Sequence, residues 1–218
     1  MSQKEISVVL LDDHAILRDG LEGVLQTMDG LDVVGSIGHP RELSKCLDLI
    51  QADVVLMGLV FDGGDGLRCI ADCMSAYPDK KILVLSQLPE AIYAQRVLNA
   101  GAHGYLMKNV SLNVVLDGIR KVVAGEVAVS PVVATQLLAH YTSRKKSSER
   151  SGIDQLSDRE LHVLTLIGQG HTTASLASSM GISKKTVDTF KERIKAKLAL
   201  QNSTQLAQVA VQHLGRLQ

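Results

Sequence analysis

No apolar run in this 218-residue chain approaches the roughly 20 residues that a helix needs to span a bilayer, so no membrane segment is expected. Cysteine is scarce as well. Cys46, Cys69 and Cys73 form an odd set with no secretory signal before them, which argues against a disulfide framework and for a cytoplasmic setting. Cys69 and Cys73, four residues apart, share a helix face and read best as small buried apolar residues. The histidines offer no metal-ligand spacing: His14, His39, His103, His140, His162 and His213 stay unassigned, and His171 reads as packing or surface variation. Net charge is formally zero, but two unlike halves make up that zero. Residues 1–130 carry 11 Lys+Arg against 17 Asp+Glu, whereas residues 131–218 carry 12 against 6. An acidic half joined to a basic half points to two domains, with a polyanion, nucleic acid first, as the partner of the second. The 45% hydrophobic content is enough for a core in each.

Short β-branched runs alternate with longer helical periods over the first 124 residues. Strands are expected at Ile6–Asp12, Leu31–Ile37, Asp53–Leu59, Lys81–Ser86 and His103–Met107. Helices are expected at Ala15–Gln26, Pro40–Ile50, Gly66–Tyr77, Pro89–Ala100 and Leu112–Ala124. Val54-Val55-Leu56-Met57 and Ile82-Leu83-Val84-Leu85 are continuously apolar, as in a sheet covered on both faces. The pattern predicts an α/β fold with a five-stranded, doubly wound parallel sheet and its site at the carboxyl ends of the strands.

After Pro131 the texture changes. Val132–Tyr141 reads as a helical arm, and Thr142–Gly152 has no apolar residue and reads as a flexible tether whose clustered cations could also touch phosphates. The remainder is all helical: Ser157–Ile167, Thr173–Met180, Ser183–Leu198 and Thr204–Leu214. Ser157 and Glu160 make a capping box, and Gly181-Ile182-Ser183 ends one helix and caps the next. Two short helices so joined predict a helix-turn-helix within an all-α four-helix domain. The expected division is 1–127, an arm and tether at 128–152, and 153–218.

One side chain is conspicuously missing from the first part. Asp12-Asp13, Ser86 and Lys108 each lie at the carboxyl end of an expected strand, the ring that a phospho-accepting aspartate needs. Its centre is Gly58, before the glycine-rich loop Asp62-Gly63-Gly64-Asp65-Gly66.

These residues, in this order, resemble a two-component receiver over residues 1–125 and a LuxR-type DNA-binding domain over Leu156–Leu214, the plan of NarL/FixJ-type response regulators. Asp12 and Asp13 match the acidic pair, Ser86 the switch hydroxyl, Tyr105 the switch aromatic and Lys108 the family's lysine. Leu156-Ser157-Asp158-Arg159-Glu160, Gly168-Gln169-Gly170, Ile182–Val187 and Lys197-Leu198 match the second domain. The resemblance implies a flavodoxin-like receiver, a partner histidine kinase and Mg²⁺ held in part by Asp12 and Asp13. It further implies that Lys108 neutralises phosphate charge and that Ser86 bonds a phosphoryl oxygen.

The chain departs from the family where the phosphoacceptor should stand. Glycine supplies neither a nucleophile nor a metal ligand, so aspartyl phosphorylation at position 58 is chemically excluded and Mg²⁺ binding, which wants several hard oxygens, is weakened. Each retained residue also has a plain structural use. Asp12-Asp13 can cap a helix, Ser86 can satisfy a backbone group, and Lys108 can pair with either aspartate. Asp62 could accept a phosphoryl group or offer a displaced metal ligand, although a loop acid there more often caps or is solvated.

On the last domain's reader helix, Val187, Phe190, Ile194 and Leu198 form the core stripe. Lys185, Asp188, Thr189 and Glu192 are the candidate base readers, Arg193 lies on a flank, and Lys184, Lys191, Lys195 and Lys197 lie toward the phosphates. A carboxylate there can accept from cytosine N4, or Asp188 or Glu192 can instead make a salt bridge within the helix, Glu192 with Lys195 or Lys197. Leu206, Val209, Ala210 and Leu214 suggest a dimerising face and a homodimer on paired half-sites of double-stranded promoter DNA. The expected function is a sequence-specific transcription regulator controlled through dimerisation, a ligand or a protein partner. Alternatives are a protein-interaction module and a phosphorylation-dead variant of an ordinary phosphorelay regulator. An enzyme is not expected, because the covalent step that the fold supports has lost its nucleophile.

Overall fold

The computed structural model describes residues 5–61, 64–143 and 152–215. Asp62, and with it the suggested rescue of the missing aspartate, lies outside the described residues, as do residues 144–151 of the expected tether. Contacts divide the chain into two compact units, Met1–Thr142 and Ser143–Gln218.

The first unit runs β1 (Ile6–Leu11), α1 (Ala15–Leu25), β2 (Leu31–Ile37), α2 (Pro40–Leu49), β3 (Val54–Met57), β4 (Val60–Phe61), β5 (Gly64–Asp65), α3 (Gly66–Ala76), β6 (Lys81–Ser86), α4 (Glu90–Asn99), β7 (Gly104–Met107), α5 (Leu112–Val123) and α6 (Pro131–Ser143). Five strands form a parallel sheet in the order β2-β1-β3-β6-β7. All four residues of β3 are buried, which is why that strand reads as continuous apolar sequence. Val8, Leu10, Leu56 and Leu83 pack with α1 and α5 through Leu25 and Ile119. The alternate residue Val9 turns toward Cys46 of α2, both within 3.2 Å of the Cβ position at Gly35. Register brings the strand ends level, with Leu11 beside Met57, Met57 beside Val84, and Ser86 beside Met107. Asp12, Gly58, Ser86 and Lys108 therefore meet at one edge.

Two features differ from expectation. The loop after Gly58 contains a two-residue antiparallel hairpin, β4 with β5. The chain after α5 also stays with the first unit, because Ala128 bridges Gly104, Ser130 Oγ donates to Glu90 at 2.8 Å, and Val133 is buried. The arm thus packs with the first unit instead of starting the connection at residue 128. The three cysteines are free and buried. Burial pushes the Cys69 thiol up to about 12 and that of Cys73 to about 11, so both are inert apolar filling.

Among the described residues, the second unit runs from a 3₁₀ turn, Gly152–Gln155, through α7 (Asp158–Gly168), α8 (Thr173–Ser179), α9 (Lys184–Lys197) and α10 (Ser203–Gly215). The capping box of α7 is complete, with Ser157 accepting from the Glu160 N–H and Glu160 from the Ser157 N–H. Gly181, at φ +63°, ends α8 in the left-handed conformation that glycine adopts without strain. Ser183 then caps α9 by accepting from the Thr186 N–H at 3.1 Å. Val187 and Ile194 are fully buried, and Val187 packs on Leu176 and Ala177 of α8.

The apolar stripe of α10 is not a spare surface. Leu206 and Ala210 are buried within their own unit, and the approach to α7 is so close that a Cβ on Gly168 would lie 2.5 Å from the Ala210 carbonyl oxygen. The dimerising face expected from Leu206, Val209, Ala210 and Leu214 is thus largely consumed by the fold; the large apolar residue that α10 leaves exposed is Val211. Among the described residues, no helix is long and apolar enough to cross a membrane.

Candidate functional site

Parallel strands end together in the first unit, and polar residues placed one step beyond them have nowhere to go but toward each other. Asp12 follows β1 and is buried, although a carboxylate there needs partners to offset its desolvation. It has them on every side. Lys108 Nζ lies 2.6 Å from Oδ2, with both side chains about nine-tenths buried. The His14 N–H donates to Oδ1 at 2.9 Å, and His14 Nδ1 lies 3.1 Å from the same oxygen. Arg18 Nη1 donates to the Asp12 carbonyl at 2.6 Å. His14 Nδ1 is also 3.0 Å from Asp13 Oδ1, so the imidazole sits between the two carboxylates.

Gly58 follows β3 and donates its N–H to the Leu11 carbonyl at 2.8 Å. A Cβ there would stand 3.0 Å from Asp12 Oδ2, the oxygen that Lys108 holds. The Cβ position at Gly58 therefore faces a carboxylate oxygen that is already paired with an ammonium. Ser86, at the end of β6, is buried and accepts from the Leu88 N–H at 3.2 Å. Tyr105, on β7, is fully buried and donates to the Leu88 carbonyl at 2.7 Å. The two hydroxyls hold Leu88 at its N–H and its carbonyl, and the Lys108 N–H, donating to the Ser86 carbonyl at 2.8 Å, ties that grip to the ion pair.

Sequence reasoning found Asp12, Asp13, Ser86, Tyr105 and Lys108, and all are joined through these contacts, Asp13 by way of His14. It missed His14 and Arg18. The signal for His14 was its place directly after the acidic pair; that for Arg18 was its position one helical turn further on, on the same side of α1. Asp12, Asp13 and His14 also present ligand atoms within 4.8 Å of one another. Mg²⁺ demands near-octahedral oxygen coordination, yet here Asp12 Oδ2 carries an ammonium, Oδ1 carries an N–H and an imidazole, and glycine stands where a further carboxylate would be.

The second unit carries a surface of the opposite character. On α9, Lys184, Lys185, Asp188, Thr189, Glu192 and Arg193 are exposed, while Lys191 and Lys195 are half-buried. Several of these groups are engaged within the protein. Lys191 Nζ donates to the Thr173 hydroxyl at the start of α8. The Thr189 hydroxyl donates to the Lys185 carbonyl at 2.9 Å. Glu192 pairs with Lys195 at 2.8 Å, the internal salt bridge that was the alternative to base reading. Lys197 is engaged within the protein and meets the buried Glu160 at 2.6 Å. Burial alone would raise the Glu160 carboxyl, but bonding to Lys197 and to the Ser157 N–H outweighs it and holds the carboxyl below its ordinary value.

The chain is similar to known proteins over both units. Residues 8–120 match the model of the response regulator receiver domain, and residues 154–210 match that of the bacterial regulatory proteins of the luxR family. The response regulator GacA of Pseudomonas aeruginosa is 33% identical over 208 residues, which cover 95% of this chain and 96% of that one. The oxygen regulatory protein NreC of Staphylococcus carnosus is 30% identical, covering 94% and 97% of the two chains. Among solved structures, RcsB of Salmonella enterica serovar Typhimurium, bound to the promoter rprA in the presence of phosphomimetic BeF₃⁻, superposes with a TM-score of 0.58 at 22% identity, covering 94% of this chain and 98% of RcsB.

Proposed function

The chain belongs to the response regulators in which a receiver domain precedes a LuxR-type DNA-binding domain, and from that premise we propose a sequence-specific, cytoplasmic transcription regulator whose receiver is not phosphorylated at position 58. The observation that carries the reading is that the Asp12 oxygen nearest the Cβ position of Gly58, at 3.0 Å, is paired with Lys108 at 2.6 Å. With no carboxylate at Gly58 there is no nucleophile for a phosphoryl donor, and the lysine that would meet phosphate charge is neutralised within the protein. The same donor set favours no resident Mg²⁺. Control then passes to dimerisation, a ligand or a protein partner, which can include a histidine kinase acting by docking alone.

Double-stranded promoter DNA is the partner proposed for the second domain, with α9 entering the major groove. RcsB, which shares the fold, has been seen on a promoter. A homodimer on paired half-sites suits the helix-turn-helix plan, with any contact made by α10 coming from its Val211 side. Binding of the full chain to promoter fragments, titrated over salt with and without Mg²⁺ and a small acyl phosphate, tests the reading. Expected is salt-sensitive, sequence-selective binding that is indifferent to the donor. Absence of DNA binding at low salt, or tighter binding only with the donor, would overturn it.

A further inference from the structure

The two acids on the exposed side of α9 are not equivalent. Glu192 has a cation at 2.8 Å, and that cation, Lys195, is held by a largely buried stem. Asp188 is exposed in the second turn, and among the described residues no Lys, Arg or His nitrogen lies within 4.0 Å of its carboxylate. The neighbouring groups are engaged elsewhere: Thr189 donates to its own helix and Lys191 donates to Thr173. Among the described residues, what α9 presents near its start without an internal partner is therefore two donors, Lys184 and Lys185, and one acceptor, Asp188; Lys185 and Asp188 lie three residues apart on adjoining parts of one face.

An unpaired carboxylate at this place repels phosphate, so its use must lie with a group that donates. In the major groove the amines of cytosine N4 and adenine N6 donate. Adenine offers its donor beside an acceptor, N7, which a carboxylate would face unfavourably, whereas the cytosine edge presents the amine alone. We propose that Asp188 selects cytosine at one position of the DNA site by accepting a hydrogen bond from its N4 amine, and that Glu192 selects no base. The assignment rests on the reading of α9 as the helix that enters DNA. It extends that reading by dividing two chemically similar side chains into one that discriminates and one that balances charge.

Selection of binding sites from randomised double-stranded DNA, with the full-length protein and its Asp188→Asn, Asp188→Ala and Glu192→Gln variants at one salt concentration, tests the division. The unsubstituted protein should recover a motif with cytosine at one position. Asp188→Asn should turn that position toward adenine by about tenfold or more, since asparagine can both donate and accept there, and Asp188→Ala should leave it without preference. Glu192→Gln should keep every preference and raise affinity for all sequences alike. All four proteins should melt at similar temperatures, because both substituted positions are exposed. If the unsubstituted protein recovers no motif, the DNA-reading assignment of α9 fails and the proposal with it. If it recovers a motif that both Asp188 variants keep, or that Glu192→Gln alters, DNA reading stands and the role given to Asp188 is overturned.

Discussion

The two units use the same device, a Lys–carboxylate pair at 2.6 Å, to opposite ends. In the second unit Lys197 and Glu160 tie the end of α9 to the start of α7, and the exposed face of α9 is left able to meet a partner. In the first unit Lys108 and Asp12 pair beside Gly58, so both charges are satisfied inside the protein. A buried charge must be paired wherever it sits. Whether the pair supports a site or replaces one depends on what else stands nearby. Beside Lys108 the missing element is one side chain.

The largest expected effect comes from breaking the pairs. Lys108→Met leaves Asp12 buried without its cation and should cost about 3 kcal/mol of unfolding free energy, and Lys197→Met, whose lysine is more exposed, about 2 kcal/mol. Asp12→Asn combined with Lys108→Met should recover most of the first loss. Chemical denaturation of the four proteins checks this, and a double variant as unstable as Lys108→Met would show that the pair is not what matters.

Restoring the missing side chain sharpens the contrast. Gly58→Asp brings a third carboxylate to a place where even its Cβ stands 3.0 Å from Asp12 Oδ2, at an expected cost of about 1–2 kcal/mol in metal-free buffer. Mg²⁺ should raise the melting temperature of Gly58→Asp and leave that of the original protein unmoved. Equal responses to Mg²⁺ would mean that position 58 does not govern the pocket.

Acid should act on both units, since burial, and then the charge of Lys81, holds the His103 imidazole of the first unit below its ordinary 6.5, and the second unit holds two such groups. Burial, and then the charge of Arg159, holds the His162 imidazole below its ordinary 6.5, and the Glu160 carboxyl lies below its ordinary 4.5. In each case the unfolded chain takes up the proton first, so stability falls as pH drops below 6.5 and falls again below 4.5. Denaturation midpoints from pH 8 to 4 check this, and His162→Gln should flatten the upper part of the curve.

The smallest effect concerns the lysines proposed to face DNA. Lys185→Ala should weaken a selected site more than random DNA. Lys184→Ala, toward the phosphates, should weaken both alike and lower the salt slope by about one. Equal shifts from Lys185→Ala on the two DNAs would misplace the groove-facing side.

The sheet and its helices were legible almost to the residue, because continuous apolar strands and capped helices carry strong local signals. The hairpin at Val60–Phe61 was not, since two-residue strands have no period to detect. Periodicity also identified Leu206 and Ala210 of α10 as apolar without telling which neighbour they face, and they face α7. In the pocket, residue types in order revealed Asp12, Ser86 and Lys108. That Lys108 chooses Asp12, that Ser86 and Tyr105 grip Leu88, and that His14 lies between the two aspartates are matters of rotamer and distance, which sequence spacing does not encode.

The receiver half is proposed to hold an ion pair beside Gly58 and to accept no phosphoryl group. Intact mass and peptide mapping of the full-length protein after incubation with Mg²⁺ and a small acyl phosphate test it most directly. No stoichiometric phosphoryl adduct is predicted; an adduct mapping to Asp62, or to Asp12 or Asp13, would contradict the account.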